Sequence, residues 1–213
     1  MSLDLYSAKA PLVGPADWRS GLPELRGSHV TLRELRRSDA PSLLQNFANE
    51  KVTRFLAQPP PTLEAYERFV AWTHRKRANG SLLCFGVVPD GEETATGLFQ
   101  VWPRDPDFES AEMGFVLGPP FWGTGVFMDG AHVFLAFVFE TLGVHRLEAR
   151  AAAMNARGNG ALRKLGAVAE CTLRQCFECG GQYEDHVMWS ILDEDWRETT
   201  AAIDVGRRQG WRR

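Results

Sequence analysis

The chain of 213 residues has no uninterrupted apolar run of about 18, the length that a membrane-spanning helix requires. Its first residues, MSLDLYSAKAPLVG, lack the charged start and apolar core of a secretory signal. Both absences point to a cytoplasmic protein with no membrane partner. An excess of one charge sign is also missing. Lys and Arg number 24 against 27 Asp and Glu, a net charge of −3, so the polycationic footprint of a nucleic-acid binder is absent. Cysteine is scarce, with Cys84, Cys171, Cys176 and Cys179. The last two form a single CxxC. A zinc site wants two such knuckles, and no second pair has that spacing. The expectation is reduced thiols in a hairpin and no metal, with a redox pair or a partial metal site as the alternative.

What remains is the composition of a globular domain, 44% apolar and 24% charged. Residues 1–28 are rich in Pro, Gly and Ser and read as an irregular arm, pinned by Trp18. Residues 29–196 carry regular periodicities, and 197–213 form a tail with a basic end. HVTLREL (29–35) alternates as a first strand. A helix follows, with Ser38 or Asp39 as its cap and Pro41 in its first turn. Thr62 caps a second helix, which Gly80 stops near Asn79. Three short β-rich runs (82–88, 94–102, 110–117) are separated by turn residues and read as an antiparallel meander. From Gly125 to Leu142, Phe127, Ala131, Phe134, Val138 and Leu142 step by four or three, which predicts a deeply buried helix ending at Gly143. A strand (145–153), a short helix (155–167), a hairpin turning at Gly180-Gly181 and a last helix capped by Asp193 complete the chain. This order predicts an α/β (α+β) fold with a mixed, mostly antiparallel central sheet flanked by helices.

The informative stretch is PPFWGTGVFMDGA (119–131). Gly123 and Gly125 flank Thr124 just where a strand gives way to a helix. A helix start carries unpaired N–H groups and about half a positive charge, and glycine lets a phosphate approach the backbone. The spacing does not fit a Walker loop, since one residue separates the glycines and no lysine follows. Nor is it a dinucleotide fingerprint, because Met128 stands where the third glycine belongs and the preceding strands are antiparallel. A tight turn without a ligand remains the plain alternative.

The aromatic-Trp-Gly-x-Gly turn (121–125), the long apolar helix, LGVHRLEA (142–149), Asn155 and KLGA (164–167) follow one another at fixed intervals. In this order the chain resembles the GNAT superfamily of acyl-CoA N-acyltransferases over 29–196. It is most similar to the RimJ/RimL-like branch of ribosomal-protein N-terminal acetyltransferases. The resemblance implies the GNAT fold and acetyl-CoA as co-substrate. It places the pyrophosphate on the amides of Trp122, Gly123, Thr124, Gly125, Val126 and Phe127. The pantetheine would pair with Phe115, Val116 and Leu117, where their strand splays from its neighbour. Asn155 matches the family asparagine near the thioester, and helix capping is its other reading. Pro120 stands where the family often has Arg or Gln, which removes one N–H and implies weaker binding.

Acetyl transfer needs a neutral amine. Glu112 is the candidate base: alternation puts Glu112, Gly114 and Val116 on one face, among small and apolar neighbours that would raise its pKa. A salt-bridged glutamate on the sheet is the other reading. Asp107, Glu109, His74 and Asp185 are lesser candidates, and His186 reads as structural. The family's usual acid donors are absent, since Leu162 and Gly158 occupy their positions. Tyr183, past the hairpin turn, is the remaining donor and otherwise a packing residue. The acceptor pocket is expected between the early helices and the hairpin, near Phe47, Phe55, Trp72 and Phe177. The resemblance favours a protein or peptide N-terminal α-amine as acceptor. A small-molecule amine, or an acyl-CoA-binding module with little catalysis, is the alternative. Pairing of two copies stays open.

Overall fold

The computed structural model describes residues 18–55, 59–179 and 181–208, so most of the N-terminal arm, Gly180 of the hairpin turn and the last five residues lie outside it. In chain order the elements are β1 (Leu25–Arg26), β2 (Val30–Glu34), α1 (Ala40–Phe47), α2 (Glu50–Thr53) and α3 (Leu63–Ala78). Then come β3 (Leu83–Pro89), β4 (Gly97–Pro103), β5 (Ser110–Leu117), α4 (Val126–Ala136) and β6 (Arg146–Ala152). The chain ends with α5 (Ala156–Lys164), β7 (Val168–Cys179), β8 (Gln182–Leu192) and α6 (Asp193–Arg208). One eight-stranded sheet runs in the order β1-β2-β3-β4-β5-β6-β8-β7. Every neighbouring pair is antiparallel except β5 with β6. That parallel pair needs a crossover, and α4 supplies it.

The sheet has an apolar layer on each face. Phe134 of α4 stacks on Phe99 of β4 with ring centroids 5.1 Å apart, and Leu135, Val138 and Leu147 fill the same layer. On the opposite face Leu43 and Phe47 of α1 and Tyr66 and Val70 of α3 pack over Leu35 and Cys84. Trp18 is buried and meets Phe108 edge-on at 5.8 Å, which anchors the end of the arm.

Three departures from the sequence reading have physical causes. Asp39 does not cap α1 with its side chain; it is fully buried and takes a bidentate pair from Arg33 at 2.8 Å and 2.8 Å. It also accepts from the N–H groups of Arg36 (2.7 Å) and Ala95 (2.9 Å), tying β2, α1 and the entry to β4 together. The long helix is α-helical only to Ala136 and finishes as a π turn over Phe137–Thr141. The wider turn buries Phe137, Val138 and Phe139 in succession, which a 3.6-residue period cannot do on one face. The short elements β1 and α2 were not foreseen, because two and four residues carry too little period to read. Thr62 caps α3 as expected, accepting from Ala65 N at 3.2 Å.

Candidate active site

The parallel pair β5–β6 opens part-way along. Its register ends at Met113 opposite Ala149, whereas β4 stays paired with β5 as far as Leu117. Backbone parity shows which groups this exposes. Gly118 N–H donates to Thr96 O at 2.9 Å, so even-numbered residues of β5 turn their backbone to β4. Glu109 O accepts from Arg146 N at 3.0 Å, so odd-numbered residues turn theirs to β6. Phe115 and Leu117 therefore face the opening, and Val116 pairs with Leu98 of β4 instead. The Leu117 carbonyl is taken by the Trp122 indole N–H at 2.7 Å. What faces the gap is a short ladder: Phe115 N–H and C=O, then Leu117 N–H.

That opening runs into the start of α4. Gly123 and Gly125 both have left-handed backbones, φ +78° and +92°, and a Cβ on either would enter open space. The two glycines thus meet a conformational demand as well as leaving room for a ligand. Gly125 caps α4, and no side chain bonds its first turn. The nearby acid, Asp129, is turned away and accepts from Ser28 N (3.0 Å) and His29 N (2.7 Å). Thr124 Oγ1 donates back to Phe121 O at 2.8 Å, holding the turn from behind. Val126 is buried, and Phe127 packs on Phe115 with centroids 4.8 Å apart, so both offer only their N–H groups to the turn. The Arg157 guanidinium stacks over the Trp122 ring at 4.1 Å, bringing a cation beside the glycines. The turn fits an anionic group: uncapped N–H donors, a helix dipole, open space and a cation converge there.

Glu112 points to the face opposite α4, as alternation predicts, and is 8% exposed. Its neighbours are not small and apolar. Arg104 Nη1 lies 3.2 Å from Oε2, Arg150 Nε lies 3.5 Å from Oε1, and Glu148 is its register partner on β6. Residues that reach across strands from β6 and from the loop after β4 create this cluster, and linear sequence does not show such pairs. Asn155 caps α5, its Oδ1 accepting from Gly158 N at 2.9 Å. A Cβ on Gly158 would lie 2.7 Å from the Asn155 amide, which accounts for glycine at that position.

The acetyltransferase (GNAT) domain profile matches residues 29–168. The chain belongs to the GNAT acetyltransferase family. YdaF of Bacillus subtilis, provisionally named a ribosomal N-acetyltransferase, is 25% identical over 173 residues, spanning 79% of this chain and 93% of that protein. The [ribosomal protein uS5]-alanine N-acetyltransferase of Escherichia coli is 22% identical, spanning 84% of this chain and 96% of its own. Among solved structures, Mycobacterium smegmatis RimJ in complex with CoA-disulfide shares the fold, with TM-score 0.74 and 20% identity over 84% of this chain and 93% of that one. This GNAT protein is an N-acetyltransferase.

Not every residue singled out from the sequence reaches the GNAT site. Tyr183 stands near the hairpin tip and is 66% exposed. Glu112, Glu148 and Ser190 lie in one row across β5, β6 and β8, and Tyr183 is seven residues before Ser190 on β8. At the rise of a strand that is about 23 Å, so Tyr183 and Glu112 are not brought together. Leu162 is fully buried in the core under β6, which explains why no hydroxyl stands there. His74 Nε2 lies 2.8 Å from Leu35 O, Asp185 accepts from Gln175 N at 2.8 Å, and Asp107 and Glu109 sit in a loop held by the Asp105 carboxylate. His186 packs at a tilt against Phe177, ring centroids 4.9 Å apart, and burial lowers its imidazole pKa. Cys176 and Cys179 both lie in β7, Cys176 within the stretch where its pairing with β8 shifts register. Cys84 is buried, and burial pushes its thiol up to about 12.

Two contributors escaped the sequence reading. Asn159 is buried, donates to Ala152 O (2.8 Å) and Asn155 O (2.9 Å), and accepts from Trp189 Nε1 at 2.9 Å. It fixes the bend from β6 into α5 at Asn155. An amide three residues before Leu162, on the same helical face, was the available signal. Arg157 had no signal, because its partner Trp122 lies 35 positions away.

Proposed function

We propose that this N-acetyltransferase uses acetyl-CoA and acetylates the α-amine of a protein or peptide N-terminus. The observation that carries the reading is the continuous path from the Phe115–Leu117 ladder to the uncapped glycine turn at the head of α4. When bound, acetyl-CoA supplies an acyl group activated as a thioester. Phe115 N–H and C=O and Leu117 N–H are placed to hold the amides of its arm. The N–H groups from Gly123 to Phe127, with the Arg157 guanidinium, are placed to meet its diphosphate. Pro120 contributes no N–H there, and Arg157 offsets that loss. Asn155 lines the same opening from α5. Glu112 attracts the incoming ammonium and accepts its proton through water.

The acceptor follows from acid–base arithmetic and from the relatives. An α-amine with pKa near ~8 costs about 1.4 kcal/mol to deprotonate at pH 7, and a lysine near ~10.4 costs about 4.6 kcal/mol. The E. coli relative is named for an alanine, a residue with no side-chain amine, which agrees with the cheaper amine. No cysteine thiolate is available for a covalent intermediate at the site: Cys84 is buried, with its thiol pushed up to about 12, so transfer is direct. With Leu162 and Gly158 in place of donors, solvent supplies the proton for the leaving sulfur. No helix among the described residues is long and apolar enough to cross a membrane, in keeping with a cytoplasmic enzyme.

The test is thiol release from acetyl-CoA against a panel of amines. Glu112→Gln is expected to lower kcat about a hundredfold or more while leaving CoA affinity unchanged. Tight CoA binding with no turnover on any amine would replace this reading with that of a binding module.

A further inference from the structure

A cleft of about 250 Å³ opens between the last turns of α3 and the neighbouring ends of β3 and β4, lined by Trp72, Lys76, Ser81, Leu82, Gln100 and Trp102. It shares a sheet face with Glu112. Trp102 is the direct register partner of Glu112, and Gln100 that of Gly114; residues paired across strands project to the same side. Trp102 leans over Gly114, whose Cβ, if present, would lie 3.4 Å from the edge of the indole. On this face Gly114 is the only β5 residue between Glu112 and Val116. Gly114 adds no side chain there, so the edge of the Trp102 indole lies over bare β5 backbone beside the β5–β6 opening. The Trp102 wall of the cleft is thus the part that stands next to Glu112 in the sheet.

The walls say what kind of amine fits. They carry two indoles and one ammonium, and none of the six residues is acidic. Trp72 is 38% exposed, unusual for so large an apolar ring, and stacks on Phe69 at 5.9 Å, so it forms a fixed rim. Lys76 Nζ lies 5.6 Å from that ring. Beyond Trp102, Arg104, Arg146 and Arg150 meet Glu112, Glu148 and Glu170, three of each sign, so Lys76 is the cleft's charge without an ion-pair partner among the described residues. A polycation would meet Lys76 and find no acid in the cleft. A monoamine that also carries a carboxylate satisfies both ends, its ammonium toward Glu112 and its acid toward Lys76. The volume falls just below the roughly 300–1,000 Å³ of sites for drug-sized ligands, which suits one residue or one small amine.

We propose that this cleft is the acceptor site and that it selects a monoamine bearing a carboxylate. Trp72 and Trp102 flank the apolar body and Lys76 holds the acid. The inference rests on the acetyl-transfer reading above. The carboxylate belongs either to a free amino acid or to an acidic side chain near a peptide N-terminus.

Initial rates of the full-length chain with acetyl-CoA separate these sources. The acceptors are phenylalanine against phenethylamine, and the amidated peptides Ala-Glu-Phe against Ala-Gln-Phe, with spermidine as the polycation. The carboxylate-bearing member of one pair is expected to have a kcat/KM about five- to tenfold higher, expressed in KM. The pair that shows the advantage identifies the source. Lys76→Gln removes the advantage, and an unchanged CoA affinity and melting temperature show that the variant is folded. Lys76→Glu reverses the advantage. No preference in either pair, a preference that survives Lys76→Gln, or spermidine as the best acceptor overturns the proposal. Calorimetric binding of the same acceptors keeps the two readings apart. Lys76-dependent binding without turnover removes the transfer reading and leaves the cleft. Turnover without carboxylate preference removes the cleft assignment and leaves transfer. Neither binding nor turnover removes both.

Discussion

Consider a methyl group placed at position 125. Gly125 has φ +92° and a Cβ there would meet no atom within 4 Å, so the damage of Gly125→Ala to the fold is conformational alone. A left-handed backbone costs an alanine about 1–2 kcal/mol. For a chain of this size each kcal/mol lowers Tm by about 2–4 °C, so the variant should melt about 2–8 °C early. Gly143 provides the matched control, with φ +73°, the same open surroundings and a place at the other end of the helix. Gly143→Ala should melt early by a similar amount. The two must part company in a calorimetric titration with CoA, run well below both melting points. The methyl at 125 occupies the space in front of the first α4 N–H groups. Losing one charge-assisted hydrogen bond costs about 1.5–3 kcal/mol, which raises Kd about tenfold to about a hundredfold. Gly143→Ala leaves Kd unchanged. Equal affinities in all three proteins would refute the reasoning, and so would an equal loss in both variants.

Arg157→Ala should weaken CoA about five- to tenfold and leave the rate with S-acetylpantetheine, which has no diphosphate, unchanged; equal loss on both would make Arg157 a packing residue only. Asp39→Ala should lower stability to urea by about 3–5 kcal/mol, because it strands the buried Arg33. The pH dependence has a definite sign. Burial pushes the Asp39 carboxyl up, but Arg33 and the N–H groups of Arg36 and Ala95 outweigh that and hold it below the ordinary carboxylate range. Its contribution is therefore full above that range and lost as pH falls through it. Unfolding curves of Asp39→Asn should lose less stability on acidification than those of the parent, and parallel curves would contradict this.

The helices and strands were legible wherever one face had to be apolar over several turns or pleats. α3, α4 and β6 came from such patterns, β3 to β5 and the β7–β8 hairpin from β-rich runs set off by turn residues, and Thr62 and Gly143 marked two ends correctly. Asp39 misled because a short acid before a helix signals a cap, and only the folded chain shows that Arg33 claims it first. The candidate site was legible in its backbone half. The left-handed turn at Gly123 and Gly125 and the free end of β5 are main-chain geometry, which local sequence dictates. Its side-chain half was not, because Glu112, Arg104, Arg150 and Glu148 are neighbours only through sheet register. Tyr183 was chosen for want of another hydroxyl, and the length of β8 separates it from Glu112.

The same cluster bears on which amine this enzyme takes, independently of what its relatives acetylate. Glu112 shares its oxygens with Arg104 at 3.2 Å and Arg150 at 3.5 Å, so two guanidiniums compete for the lone pairs that an incoming proton would use. In the proposed role as base, a carboxylate so engaged would serve an amine that is already close to losing its proton. The difference between about 1.4 and about 4.6 kcal/mol for an α-amine and a lysine is more than two powers of ten in the neutral fraction at pH 7. Rates with a peptide whose only amine is its N-terminus should therefore exceed those with its Nα-blocked, lysine-bearing counterpart by about a hundredfold or more. Raising the pH should narrow that gap, as the lysine begins to shed its proton unaided. A lysine acceptor that matched the α-amine at neutral pH would mean that the proton leaves by a route other than Glu112.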